Sequence, residues 1–174
     1  MSFHDWQKNG WLRPHKTSRQ EIAGLLAVIE RDLAASADSK IDGDWRFAIA
    51  YNSALQCAAM ALKSAGYEAP KGGGAHHQTI ESLRLTIGDD GAIVDPLQAF
   101  RAKRGGGIYE TTGVASNSEI EELRALAVTL RDRVLEWMRQ AHSELLPPQS
   151  RSTTRSNGGP KLSGRGQRQK KSPP

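Results

Sequence analysis

The chain has 174 residues and a formal net charge of +5, with a pI of about 9.6. The segment 147–174 holds no acidic residue and seven basic ones, Arg151, Arg155, Lys161, Arg165, Arg168, Lys170 and Lys171. Without those seven, 17 basic residues face 19 acidic ones, a net charge of −2 that excludes a broadly basic domain over the first 146 residues.

Several other classes of protein are also excluded by simple patterns. No run of about 18 apolar residues occurs, so no membrane span is predicted. The first residues lack the apolar stretch of a signal peptide, which favours a cytoplasmic location. The single cysteine, Cys57, cannot form an internal disulfide. No spacing of cysteine and histidine resembles a zinc site, and the sequence predicts neither a metal nor a cofactor.

The N-terminal arm, residues 1–17, shows no regular periodicity between residues 2 and 16. It carries the large apolar side chains of Phe3, Trp6, Trp11 and Leu12. Exposing two tryptophans to water is costly. We therefore expect the arm to pack against the following domain rather than to bind a partner.

Two amphipathic helices follow the arm. Ser18-Arg-Gln-Glu21 is a capping-box pattern that opens a helix running to about Ala37. A second helix is predicted from about Asp44 to Ala65, closed by Gly66 in a left-handed conformation. The many alanines of this second helix allow neighbouring helices to approach closely, so we expect it to be central.

The remaining helices complete an all-α architecture. The pattern predicts a short third helix from Ala75 to about Thr86 and a turn at 88–91. A fourth helix is opened by Asp95-Pro96 and reaches Arg104. The last helix spans 119–146, with a capping box at Ser118-Glu-Ile-Glu121. The sequence thus predicts an up-and-down bundle of four to five helices over 18–146, and a disordered basic tail over 147–174.

The segment 100–110, Phe-Arg-Ala-Lys-Arg-Gly-Gly-Gly-Ile-Tyr-Glu, is the main candidate for a functional site. It places Arg101, Lys103 and Arg104 at a helix end, followed by glycines and Tyr109. Cations at a helix C-terminus are ordinary complements of its dipole. The alternative is that the arginines bind a phosphate or RNA through their planar guanidinium groups.

Three other side chains raise the question of a role in chemistry. Adjacent residues point about 100° apart on a helix, so His76 and His77 cannot chelate as an i, i+4 pair would. We expect one of them to pack on the second helix and one to be solvated, with a nucleotide or RNA site as the first alternative and a metal as the second. His142 is expected to complement the dipole of the last helix, and Cys57 to be a small core residue.

Four segments in this order resemble a bacterial HEPN domain. They are Asp44-Trp-Arg-Phe-Ala-Ile-Ala-Tyr-Asn-Ser-Ala-Leu-Gln-Cys-Ala, Ala61-Leu-Lys-Ser-Ala-Gly-Tyr67, Ala75-His-His-Gln-Thr-Ile80 and Arg101-Ala-Lys-Arg-Gly-Gly-Gly-Ile-Tyr-Glu110. The resemblance covers about residues 18–146. It implies a helical bundle that forms a homodimer and acts with RNA, an antitoxin or a nucleotidyltransferase. The candidates for binding RNA or phosphate are Arg101, Lys103, Arg104, His76 and His77.

Active members of that family carry an arginine, then four to six residues, then a histidine. They cleave RNA without a metal, because the histidine transfers protons while the arginine stabilises charge on the phosphate. Here Arg104 matches the arginine, but Tyr109 stands in the place of the histidine, as a tyrosine does in one subgroup. A phenol is a poorer proton carrier at pH 7 than an imidazole.

The resemblance therefore implies Arg104 and Tyr109 as the catalytic pair of a metal-independent endoribonuclease, with the tyrosine arguing against the standard reaction. It places the chain in an RNA-directed toxin–antitoxin or defence system. A non-catalytic module that binds a nucleotide, nucleic acid or protein is the alternative. In that alternative the tail holds nucleic acid by neutralising phosphates. A purely structural helical protein is the third interpretation.

Overall fold

A computed structural model describes residues 1–105, 113 and 115–148, and it is mostly helical. The predictions for Tyr109 and for the tail beyond residue 148 lie outside the described residues. The helices within them are α1 (Phe3–Lys8), α2 (Arg19–Ala37), α3 (Gly43–Ser64), α4 (Ala75–Glu81), α5 (Leu83–Thr86), α6 (Val94–Gly105) and α7 (Asn117–Ala141). Two short strands, β1 (Arg13–Pro14) and β2 (Tyr67–Glu68), pair in antiparallel fashion. None of the described helices is long and apolar enough to cross a membrane.

The two helices predicted first have the expected ends. Ser18 is the N-cap of α2 and its side chain accepts a hydrogen bond from the Glu21 backbone. α3 begins one residue earlier than predicted, because the Asp42 side chain accepts from the backbone N–H of Asp44. Gly66 follows α3 with a φ of 89°, the left-handed conformation that its lack of a Cβ permits.

The core is built around α3, as the alanine-rich pattern predicts. α3 packs most extensively against α2 and α7 and also contacts α4, α5 and α6. Ala50, Ala54, Ala58 and Ala61 are fully buried on its surface, where their small size brings the neighbouring backbones close. A single hydrophobic cluster therefore connects α2, α3, α4, α6 and α7.

The N-terminal arm is more regular than the sequence indicates. Its first residues form α1, capped by reciprocal hydrogen bonds between Ser2 and Asp5, and β1 pairs with β2 immediately after α3. Trp6 and Leu12 are buried against Leu62 of α3 in a second, smaller cluster. The arm thus covers the C-terminal end of α3.

The segment between α3 and α7 differs from the prediction in two places. The predicted third helix is divided at Ser82 into α4 and α5. α6 begins at Val94, and Asp95 is not its cap but pairs with Arg84. The backbone N–H groups of Ile93 and Val94 instead donate to the buried Asp89 carboxylate. The same carboxylate also accepts a hydrogen bond from Arg133 of α7. A distant arginine thus helps to fix the start of α6.

The last helix also begins and ends differently from the prediction. Its N-cap is Ser116, which exchanges hydrogen bonds with Glu119 in a capping box, so the box predicted at Ser118 is wrong. The predicted partner of that box, Glu121, binds Arg46 of α3 instead, with 2.6 Å between Arg46 Nη2 and Glu121 Oε1. α7 ends at Ala141 rather than at 146, and a 3-10 turn (Ser143–Leu145) follows.

Candidate functional site

Three helices bring Tyr51, His76 and Arg104 together. Tyr51 lies in the middle of α3, His76 in the first turn of α4 and Arg104 in the last turn of α6. Tyr51 is 1% exposed, whereas His76 lies at the surface. The site therefore has a buried aromatic floor and an accessible imidazole at its edge.

Tyr51 contacts both of the other side chains. The guanidinium carbon of Arg104 lies 5.1 Å from the centre of the tyrosine ring, within the range of a cation–π interaction. The Tyr51 hydroxyl lies 3.3 Å from His76 Nδ1. Burial raises the pKa of Tyr51 to about 12, although the charges of Arg104 and Arg101 act to lower it. The phenol therefore stays protonated at neutral pH and serves as a hydrogen-bonding group.

His76 is held in its neutral form at neutral pH. Burial lowers its pKa below the usual 6.5, and the positive charges of Arg104 and Arg101 lower it further. A neutral imidazole can accept a proton, which a protonated one cannot do. When Nδ1–H donates to the Tyr51 hydroxyl oxygen, Nε2 carries the free lone pair and is the nitrogen that can accept a proton. The arrangement thus fixes both the charge and the orientation of the imidazole.

Arg101 is positioned by Gln98, one turn earlier in α6. Its Nε donates to Gln98 Oε1 over 2.7 Å. The amide nitrogen of Gln98 donates to the backbone oxygen of His77 at 3.1 Å and to Glu81 Oε1 at 2.9 Å. The Gln98 side chain therefore binds Arg101 through its amide oxygen and α4 through its amide nitrogen. This connection explains how Arg101 comes close enough to His76 to act on its pKa.

Lys103 makes a different contact from its two neighbouring cations. Its ammonium group is hydrogen-bonded to Glu119 in the first turn of α7. That bond, together with those from Ser116, lowers the pKa of Glu119 to about 2. Lys103 thus joins α6 to α7, and its charge is paired. Of the three predicted cations, Arg101 and Arg104 are the two that act on Tyr51 and His76.

The two adjacent histidines face different surroundings. His76 contacts Tyr51, whereas His77 lines a cavity beside Trp6 and Trp11. The prediction that Cys57 is a core residue is confirmed, since it is fully buried and burial raises the pKa of its thiol. His142 caps the end of α7, where its ring packs on Trp137.

Tyr51 was not among the residues predicted for the site. An aromatic residue at a core position of an alanine-rich helix is normally a packing residue, and the ring of Tyr51 is one. Only its contacts with two helices that lie later in the chain give it a further role. The signal available in the sequence was its hydroxyl, since a buried tyrosine needs a hydrogen-bond partner.

The described residues contain no group of three or more His, Cys, Asp or Glu side chains that could hold a metal ion. Comparison with models of protein families, with curated proteins and with solved structures finds no match to this chain.

Proposed function

We propose that this chain is a HEPN-like helical domain that binds the phosphate backbone of RNA at Arg104, Arg101 and His76. One observation carries the proposal: Arg104 and His76, from separate helices, meet on the same buried tyrosine. Arginine suits this role because its planar fork binds two phosphate oxygens at once. The aromatic floor holds the guanidinium group in place.

The resemblance to HEPN domains supplies the setting of the proposal. We infer from it a toxin–antitoxin or defence system in the cytoplasm, a homodimer, and an antitoxin or nucleotidyltransferase as partner. The domain over residues 18–146 that carries this resemblance includes all three helices of the site. In this setting the site binds RNA over a small area, since the first 146 residues carry a net negative charge.

Binding of a fluorescently labelled single-stranded RNA to the full chain tests the proposal. We expect Arg104→Ala to weaken binding by about 10- to 150-fold, because a hydrogen bond to a charged group contributes about 1.5–3 kcal/mol. Arg139→Ala is the matched control, since Arg139 lies 20 residues beyond Glu119 in α7, about 30 Å away along the helix. Equal affinities of Arg104→Ala and the wild type would contradict the proposal.

Metal-independent RNA cleavage is a second candidate function, favoured by the neutral His76 beside Arg104. In this reaction His76 takes the proton from a ribose 2′-hydroxyl, and the O2′–P bond forms as the P–O5′ bond breaks. The proton then passes to the leaving O5′ atom, which leaves a 2′,3′-cyclic phosphate. Arg104 stabilises the charge that develops on the phosphate. His76 thus takes the role that the family pattern would give to the residue at position 109.

Cleavage is tested by looking for cyclic phosphate ends in the presence of a chelator. We expect His76→Gln to abolish them and His142→Gln, at the far end of α7, to leave them unchanged. Since the pKa of His76 is below its usual 6.5, the wild-type rate should stay constant as the pH falls to about 6.5 and should decrease only at lower pH. Intact RNA in the presence of a chain that binds it would favour the non-catalytic binding module.

A further inference from the structure

We propose that the cavity between the N-terminal arm and α4 binds a nucleobase of single-stranded RNA whose backbone lies at Arg104. This inference rests on the proposed function and specifies its substrate as unpaired RNA. The cavity has a volume of about 590 Å3. Its lining within the described residues consists of Met1, Trp6, Trp11, His77, Gln78 and Glu81.

Two tryptophans form the aromatic part of the cavity. Trp6 and Trp11 meet edge to face, with ring centres 5.6 Å apart and planes at 83°. Trp11 is 37% exposed and so offers ring surface to a ligand, whereas Trp6 is buried. The buried indole nitrogen of Trp6 has no hydrogen-bond partner among the described residues. A flat nucleobase gains about 1–3 kcal/mol by stacking on such an aromatic surface.

The rest of the lining has the polar groups that a base edge requires. Gln78 carries an amide that both donates and accepts, and His77 carries an imidazole. The Glu81 carboxylate is oriented by Gln98 on one oxygen and by Arg84 on the other. Each of those oxygens retains a further lone pair for an N–H group of a base. The cavity thus combines a stacking surface with donors and acceptors, of which the Glu81 carboxylate is held in place.

The position of the cavity relative to the Arg104 site points to a continuous ligand. His76 belongs to that site and His77, the next residue, lines the cavity. Gln98 contacts Arg101 on one side and Glu81 on the other. A strand that binds a phosphate at the arginines can therefore place a neighbouring base beside Trp11. In a duplex the bases are paired and stacked inside the helix, so they cannot enter the cavity.

Indole N–H signals in a nitrogen-15 NMR spectrum of the full chain test this inference directly. The chain has four tryptophans, and a Trp→Phe variant at each position assigns its signal. Adding a single-stranded octaadenylate should shift the signals of Trp6 and Trp11. The signals of Trp45 and Trp137 serve as internal controls and should not move. The same RNA annealed to its complement should leave all four signals in place.

Affinity provides the second measurement. Trp11→Ala should weaken binding of the octaadenylate by about 5- to 150-fold, the range that corresponds to one stacked base. Trp45→Ala is the matched control, because Trp45 is 63% exposed and lies outside the cavity. RNA binding that depends on Arg104 but not on Trp11, with unshifted Trp6 and Trp11 signals, would overturn this inference and leave the proposed function intact.

Small ligands separate a failure of the cavity from a failure of the proposed function. Adenosine has no phosphate, so it should shift the Trp6 and Trp11 signals in the wild type and in Arg104→Ala alike. If RNA does not bind at all, the proposed function fails, and the adenosine titration still decides the cavity. Tetramethylammonium tests an organic cation as occupant. Shifts caused by that ion but not by adenosine would overturn the assignment to a nucleobase.

Discussion

At the scale of single residues, Tyr51 connects the core to the candidate site. Its ring is buried among the core residues of α3, and the same ring lies under the Arg104 guanidinium group. Its hydroxyl reaches His76 on α4. The orientation of two surface groups thus depends on the packing of one interior side chain. The residue acts through its neighbours and is a positioning residue.

Two substitutions separate the ring of Tyr51 from its hydroxyl. Tyr51→Phe keeps the aromatic floor and removes only the hydrogen bond to His76, so we expect a loss of about 1 kcal/mol in stability and a smaller loss of RNA affinity than in Tyr51→Leu. Tyr51→Leu removes the floor and should weaken RNA binding by about 2- to 30-fold, as expected for loss of a cation–π contact of about 0.5–2 kcal/mol.

Thermal unfolding and RNA affinity, measured on the same preparations, check both expectations. Phe47→Leu is the control for core packing, since its ring packs against Phe100 with centres 5.8 Å apart. A variant at Phe47 that loses as much RNA affinity as Tyr51→Leu would show that the effect comes from general loosening of the core.

At the scale of elements, the sequence offers two serines as the N-cap of α7, and the structure uses one of them. Ser116 and Ser118 each have a glutamate three residues later, so both match the capping box. The backbone N–H of Glu119 lies 3.2 Å from the Ser116 hydroxyl, and the Glu119 carboxylate accepts from the Ser116 backbone at 2.9 Å. Glu121 instead forms ion pairs with Arg46 and Arg124. Contacts with the rest of the molecule thus decide which serine begins the helix.

The two serines form a matched pair for a stability measurement. Ser116→Ala removes the cap and should lower the free energy of unfolding by about 1 kcal/mol. Ser118→Ala lies inside α7 and should change it by less than about 0.5 kcal/mol. Urea unfolding followed by circular dichroism gives both values. An equal loss of unfolding free energy in the two variants would contradict a stabilising role of Ser116 as the N-cap.

At the scale of the whole molecule, Glu21 holds the N-terminal arm to two helices of the bundle. It accepts hydrogen bonds from Lys63 of α3, from His15 and from Thr17, while His15 also faces Glu68 of β2. Burial acts to raise the pKa of Glu21, but the bonds from Lys63, His15 and Thr17 outweigh it and bring the pKa to about 2. In the folded chain the Glu21 carboxylate therefore stays charged at pH values well below its ordinary pKa of 4.5.

This pKa predicts a dependence of stability on pH. Because the pKa is lower in the folded chain than the ordinary 4.5, the contribution of Glu21 is complete above about pH 4.5 and is lost as the pH falls through about 2. Glu21→Gln should therefore lower the melting temperature at pH 7, and its difference from the wild type should shrink in acid. Glu122→Gln, which removes an exposed acid of α7, should show no such convergence. A constant difference between pH 7 and pH 2 would contradict the prediction.

The basic residues of segment 149–174 lie outside the described residues, but their share of binding is measurable. Removing this segment deletes seven positive charges. We expect RNA affinity to fall. The slope of the logarithm of the binding constant against the logarithm of salt concentration should become shallower by at most about 5, because each phosphate contact contributes about 0.7. Arg104→Ala should still weaken binding in the shortened chain. A shortened chain that binds RNA as tightly as the full one would exclude a role for this segment.

Local sequence patterns establish the helical class, the approximate positions of α2, α3 and α7, the central place of α3 and the burial of Cys57. These features depend on residues close together in the chain, whose apolar spacing and caps carry the information. The sequence also identified Arg101, Arg104 and His76 as candidates. Tertiary packing alone brought Arg104 and His76 onto Tyr51, paired Lys103 with Glu119 and placed His77 in a separate cavity. Those outcomes depend on how helices distant in the sequence pack against one another, which no local pattern specifies.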